Sequence, residues 1–209
     1  MRNIRITIEY DGKNFPGWQS QPGKISIQTE IENAIYEITG ERVELIASGR
    51  TDAGVHALGQ VANFHTNTKI ETSKIPYAIN SKLPNSIVVK EAKEVDERFH
   101  SRYNCKLKTY RYIINNNEFP SALNRYREFH IPCKLDYKEM EKAIKYFEGE
   151  HDFKAFKSSG GNAKKTTVRI LTNCNIRKDD GRIYIELTGN GFLYNMVRII
   201  SGTILDVGL

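Results

Sequence analysis

The apolar residues of this chain follow one order of periods twice, and that repeat constrains the fold more than any other property of the sequence. Ile4, Ile6, Ile8 and Tyr10 alternate as in a strand with one apolar face. Ser26 is placed to cap a helix whose stripe, Ile27, Ile31, Ile35 and Ile38, stops at Gly40. Strands are predicted around Val43 to Ser48 and Gln60 to Thr66, a weak helix near Ser73 to Ser81, and a last strand at Ile87-Val88-Val89. The order is β-α-β-β-α-β. The second half opens with an alternating strand, Thr109 to Asn115, and a helix started by Asp136-x-x-Glu139. That helix carries Met140, Ala143, Ile144 and Phe147 on one face and stops at Gly149. Strands Thr167 to Arg177 and Arg182 to Thr188 join through Asp180-Gly181, a strong hairpin signal. A helix from about Phe192 to Asp206 closes the chain.

The expected architecture is α+β: two related halves, residues 1–105 and 106–209, with sheets joined or abutting, helices on one face and a cleft on the other. A basic connector with Arg98, His100, Arg102, Lys106 and Lys108 marks the boundary. By the symmetry of the halves one more strand is due after the closing helix, since a split β-α-β unit pairs it into the sheet and covers an edge. The chain is therefore read as C-terminally truncated.

Composition narrows the function classes. A formal charge of +6 favours a polyanionic partner, although solvated lysines are the ordinary source of such a charge. Cys105, Cys133 and Cys174 are scattered and odd in number, which argues against a disulfide framework or thiolate zinc site and for a reducing compartment. Met1-Arg-Asn-Ile-Arg5 runs straight into a strand, and no apolar run approaches the roughly 18 residues of a membrane span. The expectation is a cytoplasmic chain with no membrane partner. There is no GxxxxGK[ST], no GxGxxG after a strand and no HExxH, and the five histidines lack metal-ligand spacing. Neither a nucleotide cofactor nor a metal is expected.

The densest segment is Ser48-Gly-Arg-Thr-Asp-Ala-Gly-Val-His-Ala57, which puts Arg50, Asp52 and His56 on one loop between two strands. It reads either as a capped turn with a solvated salt bridge or as a catalytic loop on a rigid scaffold. In the closing helix, Leu193, Met196, Val197, Ile199, Ile200, Ile204 and Leu205 cover most of the circumference, with Arg198 among them. If the helix is buried, Arg198 needs a carboxylate partner, and Asp52 is the candidate. A guanidinium there would keep the carboxylate ionised and nucleophilic at neutral pH. The other reading is that Arg198 reaches the surface on its long stem. In Lys106-Leu-Lys-Thr-Tyr-Arg-Tyr112, Tyr110 and Tyr112 share a strand face, suited either to sheet packing or to stacking on an extruded base. Asn162-Ala-Lys-Lys-Thr-Thr-Val-Arg169, after Ser158-Ser-Gly-Gly161, is a polar, basic loop suited to phosphate or to plain solvation.

Taken together, these segments resemble the tRNA pseudouridine synthases that act on the anticodon arm. The likeness spans the chain: Tyr10-Asp-Gly, Phe15-Pro-Gly-Trp18-Gln, Gly49-Arg-Thr-Asp-Ala-Gly-Val-His56, Arg98-Phe-His-Ser-Arg102, Lys108-Thr-Tyr-Arg-Tyr112, His151-Asp-Phe-Lys-Ala-Phe156 and Gly189-Asn-Gly-Phe-Leu-Tyr-Asn-Met-Val-Arg198. The GRTDAGVHA and GFLYNMVR strings at this separation are the specific ones. The resemblance implies a pseudouridine synthase fold and a cofactor-free enzyme, homodimeric, with one tRNA bridging both subunits, isomerising uridines at positions 38 to 40. It implies Asp52 as the catalytic residue linked covalently to the nucleoside. Arg50 would fill the space left by the flipped base, Tyr110 would pack on that base, and Arg198 would pair with the catalytic carboxylate. Family members continue past Leu209 with a helix and a strand beside the cleft, so an inactive or impaired RNA-binding form is the alternative expectation. A non-catalytic RNA-binding module is a third, but it gives Asp52 and Arg198 no task.

Overall fold

The computed structural model describes residues 1–159 and 166–209, and the chain forms two compact units, Met1–Cys105 and Lys106–Leu209. Both are mixed α and β. In the first, β1 (Arg2–Tyr10), α1 (Ile27–Thr39), β2 (Ile46–Ala47), β3 (Ala57–Thr66), α2 (Ile75–Asn80) and β4 (Ile87–Val95) follow one another. The strands form an antiparallel sheet in the order β2-β3-β1-β4. β1 lies inside the sheet, so its even positions face the helices on one side. Ile4, Ile6, Ile8 and Tyr10 therefore share one core with Ile27, Ile31 and Ile35 of α1 and Ile75 and Ile79 of α2. Each isoleucine removed from water there contributes roughly 1.5–3 kcal/mol.

Local signals set the ends of α1. The Ser26 hydroxyl accepts from Thr29 N–H at 3.2 Å, and Gly40, at φ 72°, closes the helix by donating to the Tyr36 carbonyl at 2.8 Å. The strand predicted from Val43 to Ser48 shrinks to Ile46–Ala47. The cause is a side chain: the Glu32 carboxylate of α1 accepts from Leu45 N–H at 3.0 Å, taking a donor the ladder would use.

A buried amide pair ties the end of this unit down. Asn63 Nδ2 donates to Asn3 Oδ1 at 2.9 Å, Asn3 Nδ2 donates to the carbonyls of Asp96 and Phe99 at 2.9 Å each, and Ser101 N–H donates to Asn63 Oδ1 at 2.8 Å. The basic connector thus hangs on two fully buried side chains. Replacing Asn63 by leucine strands the Ser101 N–H and part of the Asn3 amide, at about 1–3 kcal/mol for each buried group left unsatisfied. The urea midpoint should fall with an unchanged m value. An unchanged midpoint would mean that water reaches these groups.

The second unit comprises β5 (Lys108–Asn115), β6 (Phe129–His130), α3 (Tyr137–Ile144), β7 (Gly149–Asp152), β8 (Val168–Asp179), β9 (Arg182–Gly189) and α4 (Met196–Gly208). Its sheet runs β6-β5-β9-β8-β7, with β6 parallel to β5 and the other pairs antiparallel. The short edge strands β6 and β7 carry no alternation that sequence reading detects. α3 is capped by Asp136, which accepts from Lys138 and Glu139 N–H. The Asp180-Gly181 hairpin is tight, with φ of 45° and 67°, the positive pair a two-residue turn demands. Ile183, Ile185 and Leu187 of β9 pack against Met140 and Ile144 of α3 and Met196, Ile200 and Ile204 of α4.

Two expectations about α4 are corrected. The helix begins at Met196 rather than Phe192, because Asn195 takes a left-handed conformation (φ 57°) that interrupts the turn despite the apolar run before it. Nor is the helix buried all round. Met196, Ile200, Ser201, Ile204 and Gly208 are buried, whereas Arg198 is exposed. Arg198 lies two residues, or about 200° of rotation, from both Met196 and Ile200, and so projects away from the core. Desolvation therefore imposes no partner on it.

A carboxylate braces the α3 side of β8. Glu148 accepts from Cys174 N–H at 2.8 Å and from Lys145 Nζ at 3.1 Å, and these bonds, the backbone one foremost, hold it below the usual carboxylate range. Burial pushes the neighbouring Cys174 thiol up to about 12, so it serves as packing. Because the folded-state value of Glu148 is the lower one, its contribution is complete above the ordinary carboxylate range and is lost as pH falls through the folded value. Glu148→Gln should flatten the acid limb of the stability curve below about pH 4.5. Parallel acid limbs for the two proteins would show that Glu148 is not the group responsible.

Candidate functional site

The loop from Ser48 to His56 leaves β2 and enters β3, and it is anchored along its length within the first unit. Ser48 N–H donates to the Val61 carbonyl at 2.8 Å, and Gln60 Nε2 donates to the Gly49 carbonyl. Val55 N–H closes a turn on the Asp52 carbonyl at 3.2 Å, with Gly54 at φ 76° inside it. Arg50 and Asp52 are exposed on this loop, and His56 is half-buried.

A second segment, Asp11 to Trp18, forms the seat of the loop. Trp18 N–H donates to the Thr51 carbonyl at 3.0 Å, and Gly54 N–H donates to the Phe15 carbonyl at 3.3 Å. The Tyr10 and Thr51 hydroxyls lie 2.8 Å apart in a hydrogen bond. Gly12 N–H donates to His56 Nδ1 at 3.2 Å, and that nitrogen is 3.1 Å from Asp11 Oδ1. Two glycines let the backbones meet. A Cβ on Gly12 would lie 1.9 Å from the Val55 carbonyl oxygen, and one on Gly17, at φ 116°, would lie 2.6 Å from that of Thr51. In the sequence, Tyr10-Asp-Gly and Phe15-Pro-Gly-Trp18 stand only as marks of resemblance. Their role as the loop's seat is legible in part: two glycines and two aromatics stand between Asp11 and Trp18, a stretch with neither helical nor strand period.

In the second unit, Tyr110 lies on β5 and Arg198 on α4. The half-buried Tyr110 ring meets the Phe192 ring edge-on, at 5.0 Å between centroids and 77° between planes. Arg111, on the opposite strand face, pairs with Glu186 across the ladder at 2.6 Å. The turn before α4 is held at both ends. Asn190 exchanges two bonds with the backbone of Ile170, each 3.1 Å, while Ser158 N–H donates to the Tyr194 carbonyl at 3.2 Å and Asn195 Nδ2 to Ser158 Oγ at 3.1 Å. Of the four residues singled out from the sequence, Arg50 and Asp52 thus belong to one unit, Tyr110 and Arg198 to the other. The polar, basic loop at Asn162 to Arg169, suited to phosphate or to plain solvation, lies, through residue 165, outside the described residues.

Among the described residues, no three His, Cys, Asp or Glu side chains gather as metal ligands would, and no helix is long and apolar enough to cross a membrane.

Comparison with known proteins covers both units. A family profile described as tRNA pseudouridine synthase matches residues 6–104 and 143–209. The tRNA pseudouridine synthase A of Acetivibrio thermocellus is 53% identical over 209 residues, spanning all of this chain and 85% of the relative. That of Caldicellulosiruptor saccharolyticus gives the same figures, 53% over 209 residues with 100% and 85% covered. The tRNA pseudouridine synthase A 2 of Clostridium tetani is 52% identical over 210 residues, with 100% of this chain and 84% of the relative covered.

Proposed function

We propose that this chain, which belongs to the tRNA pseudouridine synthase family, isomerises uridines of the anticodon arm, at tRNA positions 38 to 40, with Asp52 as its nucleophile. As a member of that family it is an isomerase acting on tRNA. The reaction breaks the N1–C1′ bond of uridine, turns the freed uracil and closes a C5–C1′ bond, while the C5 proton leaves and N1 takes one up. Nothing is oxidised and no water is consumed. The chemistry asks for a nucleophile, a seat for the loose base and exclusion of water from the intermediate.

The observation that carries the reading is the setting of Asp52. Asp52 is exposed, while the residue before it is bound at both carbonyl and hydroxyl by Trp18 and Tyr10. Such a group is accessible to substrate yet attached to a fixed backbone. A uridine in a stem has to leave the stack, at a cost of a few kcal/mol. Tyr110, its ring set by Phe192, would return roughly 1–3 kcal/mol by stacking on the base. Arg50 would occupy the vacated space. Arg198 would pair with Asp52, a role that now rests on family resemblance alone, since its burial does not demand it. In this reading the enzyme is a cytoplasmic homodimer bridged by one tRNA.

The test is release of tritium from unmodified tRNA labelled at uracil C5. Release by this chain and none by Asp52→Asn supports the reading. Retained binding without release by either protein would instead favour the inactive RNA-binding form.

A further inference from the structure

The structure assigns to Tyr10 a part in the reaction that extends the proposed role of Asp52 and rests on it: Tyr10 is a positioning residue that fixes the backbone before the nucleophile through the Thr51 hydroxyl. Tyr10 is the last residue of β1, a strand paired on both sides, where it faces Ala57 on β3 and Ile87 on β4. It is 2% exposed, as is Trp18, whose ring stands 5.9 Å away. Both side chains therefore belong to the rigid core rather than to the loop.

Thr51 is held from that core at two atoms. Its carbonyl accepts from Trp18 N–H at 3.0 Å, and its hydroxyl meets the Tyr10 phenol at 2.8 Å. The carbonyl bond alone leaves the peptide free to rock about one point. The hydroxyl bond adds a second point, held through the Cβ, and so restrains rotation of the peptide that leads into residue 52. Gly17 closes the third side, since its Cα lies so near Thr51 that a Cβ would come within 2.6 Å of the carbonyl oxygen. A carboxylate that must reach a single carbon of the nucleoside loses rate steeply when misplaced by about 1 Å. A phenylalanine ring fills the same core volume, so Tyr10→Phe removes the hydroxyl without opening a cavity.

The prediction concerns single-turnover chemistry on unmodified tRNA. Tyr10→Phe and Thr51→Val should each slow the chemical step by about 10- to 100-fold, with tRNA affinity within about twofold of the parent. Thr51→Ser, which keeps the hydroxyl, should restore most of the rate. The Tyr10→Phe/Thr51→Val double variant should be no slower than the worse single one, because both remove the same bond. A full rate in either single variant, or a Thr51→Ser protein as slow as Thr51→Val, would overturn the proposal. So would a double variant showing the product of the two losses. If Tyr10→Phe fails to fold, the Thr51 pair carries the test unaided. Asp52→Asn is measured alongside. If it is inactive while Tyr10→Phe is fully active, positioning fails and the nucleophile stands; if Asp52→Asn turns over, the nucleophile itself is wrong and positioning falls with it.

Discussion

Asp52→Asn is expected to lower the rate of isomerisation by at least about 10³-fold, a loss of about 4 kcal/mol of transition-state stabilisation, while leaving tRNA affinity within about twofold. Asparagine keeps the size and hydrogen-bonding reach of the side chain but has no anionic oxygen to form a bond with the nucleoside. Asp52 is exposed and its carbonyl closes a turn on Val55 N–H through the backbone, which the substitution leaves in place. Folding and binding should therefore survive. The measurement pairs tritium release with a binding isotherm taken at one stated salt concentration, since phosphate contacts make affinity fall steeply with salt. Loss of binding together with turnover would make Asp52 a structural residue. A variant that still turned over at the parent's rate would remove it from the chemistry.

The second large effect lies away from the carboxylate. Gly12→Ala would place a methyl 1.9 Å from the Val55 carbonyl oxygen and 2.7 Å from its carbon, both backbone atoms that no rotamer change can move. The Asp11–Trp18 segment and the Asp52 loop would have to separate. Overpacking of this kind costs about 1–3 kcal/mol, and the bonds from Gly54 to Phe15 and from Gly12 to His56 would be strained with it. The expected result is a urea midpoint lowered by roughly 1 M and a chemical step slowed at least as much as in Tyr10→Phe. Gly59→Ala is the control, because its Cβ would meet only the Thr7 methyl, at an ordinary 3.8 Å. Equal stability and rate in the Gly12 and Gly59 variants would mean that the two segments are not locked together.

Most of the secondary structure was legible because its signals are local. The isoleucine stripe with Ser26 and Gly40 marks α1 unaided, and Asp180-Gly181 can hardly connect two strands except by the tight turn observed. Reading failed where a distant group intervened. Glu32 takes the Leu45 donor and shortens β2, and β6 exists only because β5 lies beside it. The apolar run Phe192-Leu193 imitates the start of a helix, yet Asn195 turns left-handed and defers it to Met196.

For the site, the residue types and their order along the chain determined the family, the identity of the loop and the choice of Asp52 as the residue to test. The resemblance carried by the GRTDAGVHA and GFLYNMVR strings is enough for that, because it depends on residue order and not on how the loop is packed. Tertiary structure alone decided how the loop is held and which faces are exposed. Arg198 is apolar-flanked in sequence but turns outward, because exposure depends on the angle around a helix axis and not on its neighbours in the chain. The seat formed by Tyr10, Gly12, Gly17 and Trp18 is only hinted at by its glycines and aromatics, and what it holds is beyond local reading. It depends on two backbones, some forty residues apart in sequence, approaching so closely that a Cβ would not fit between them.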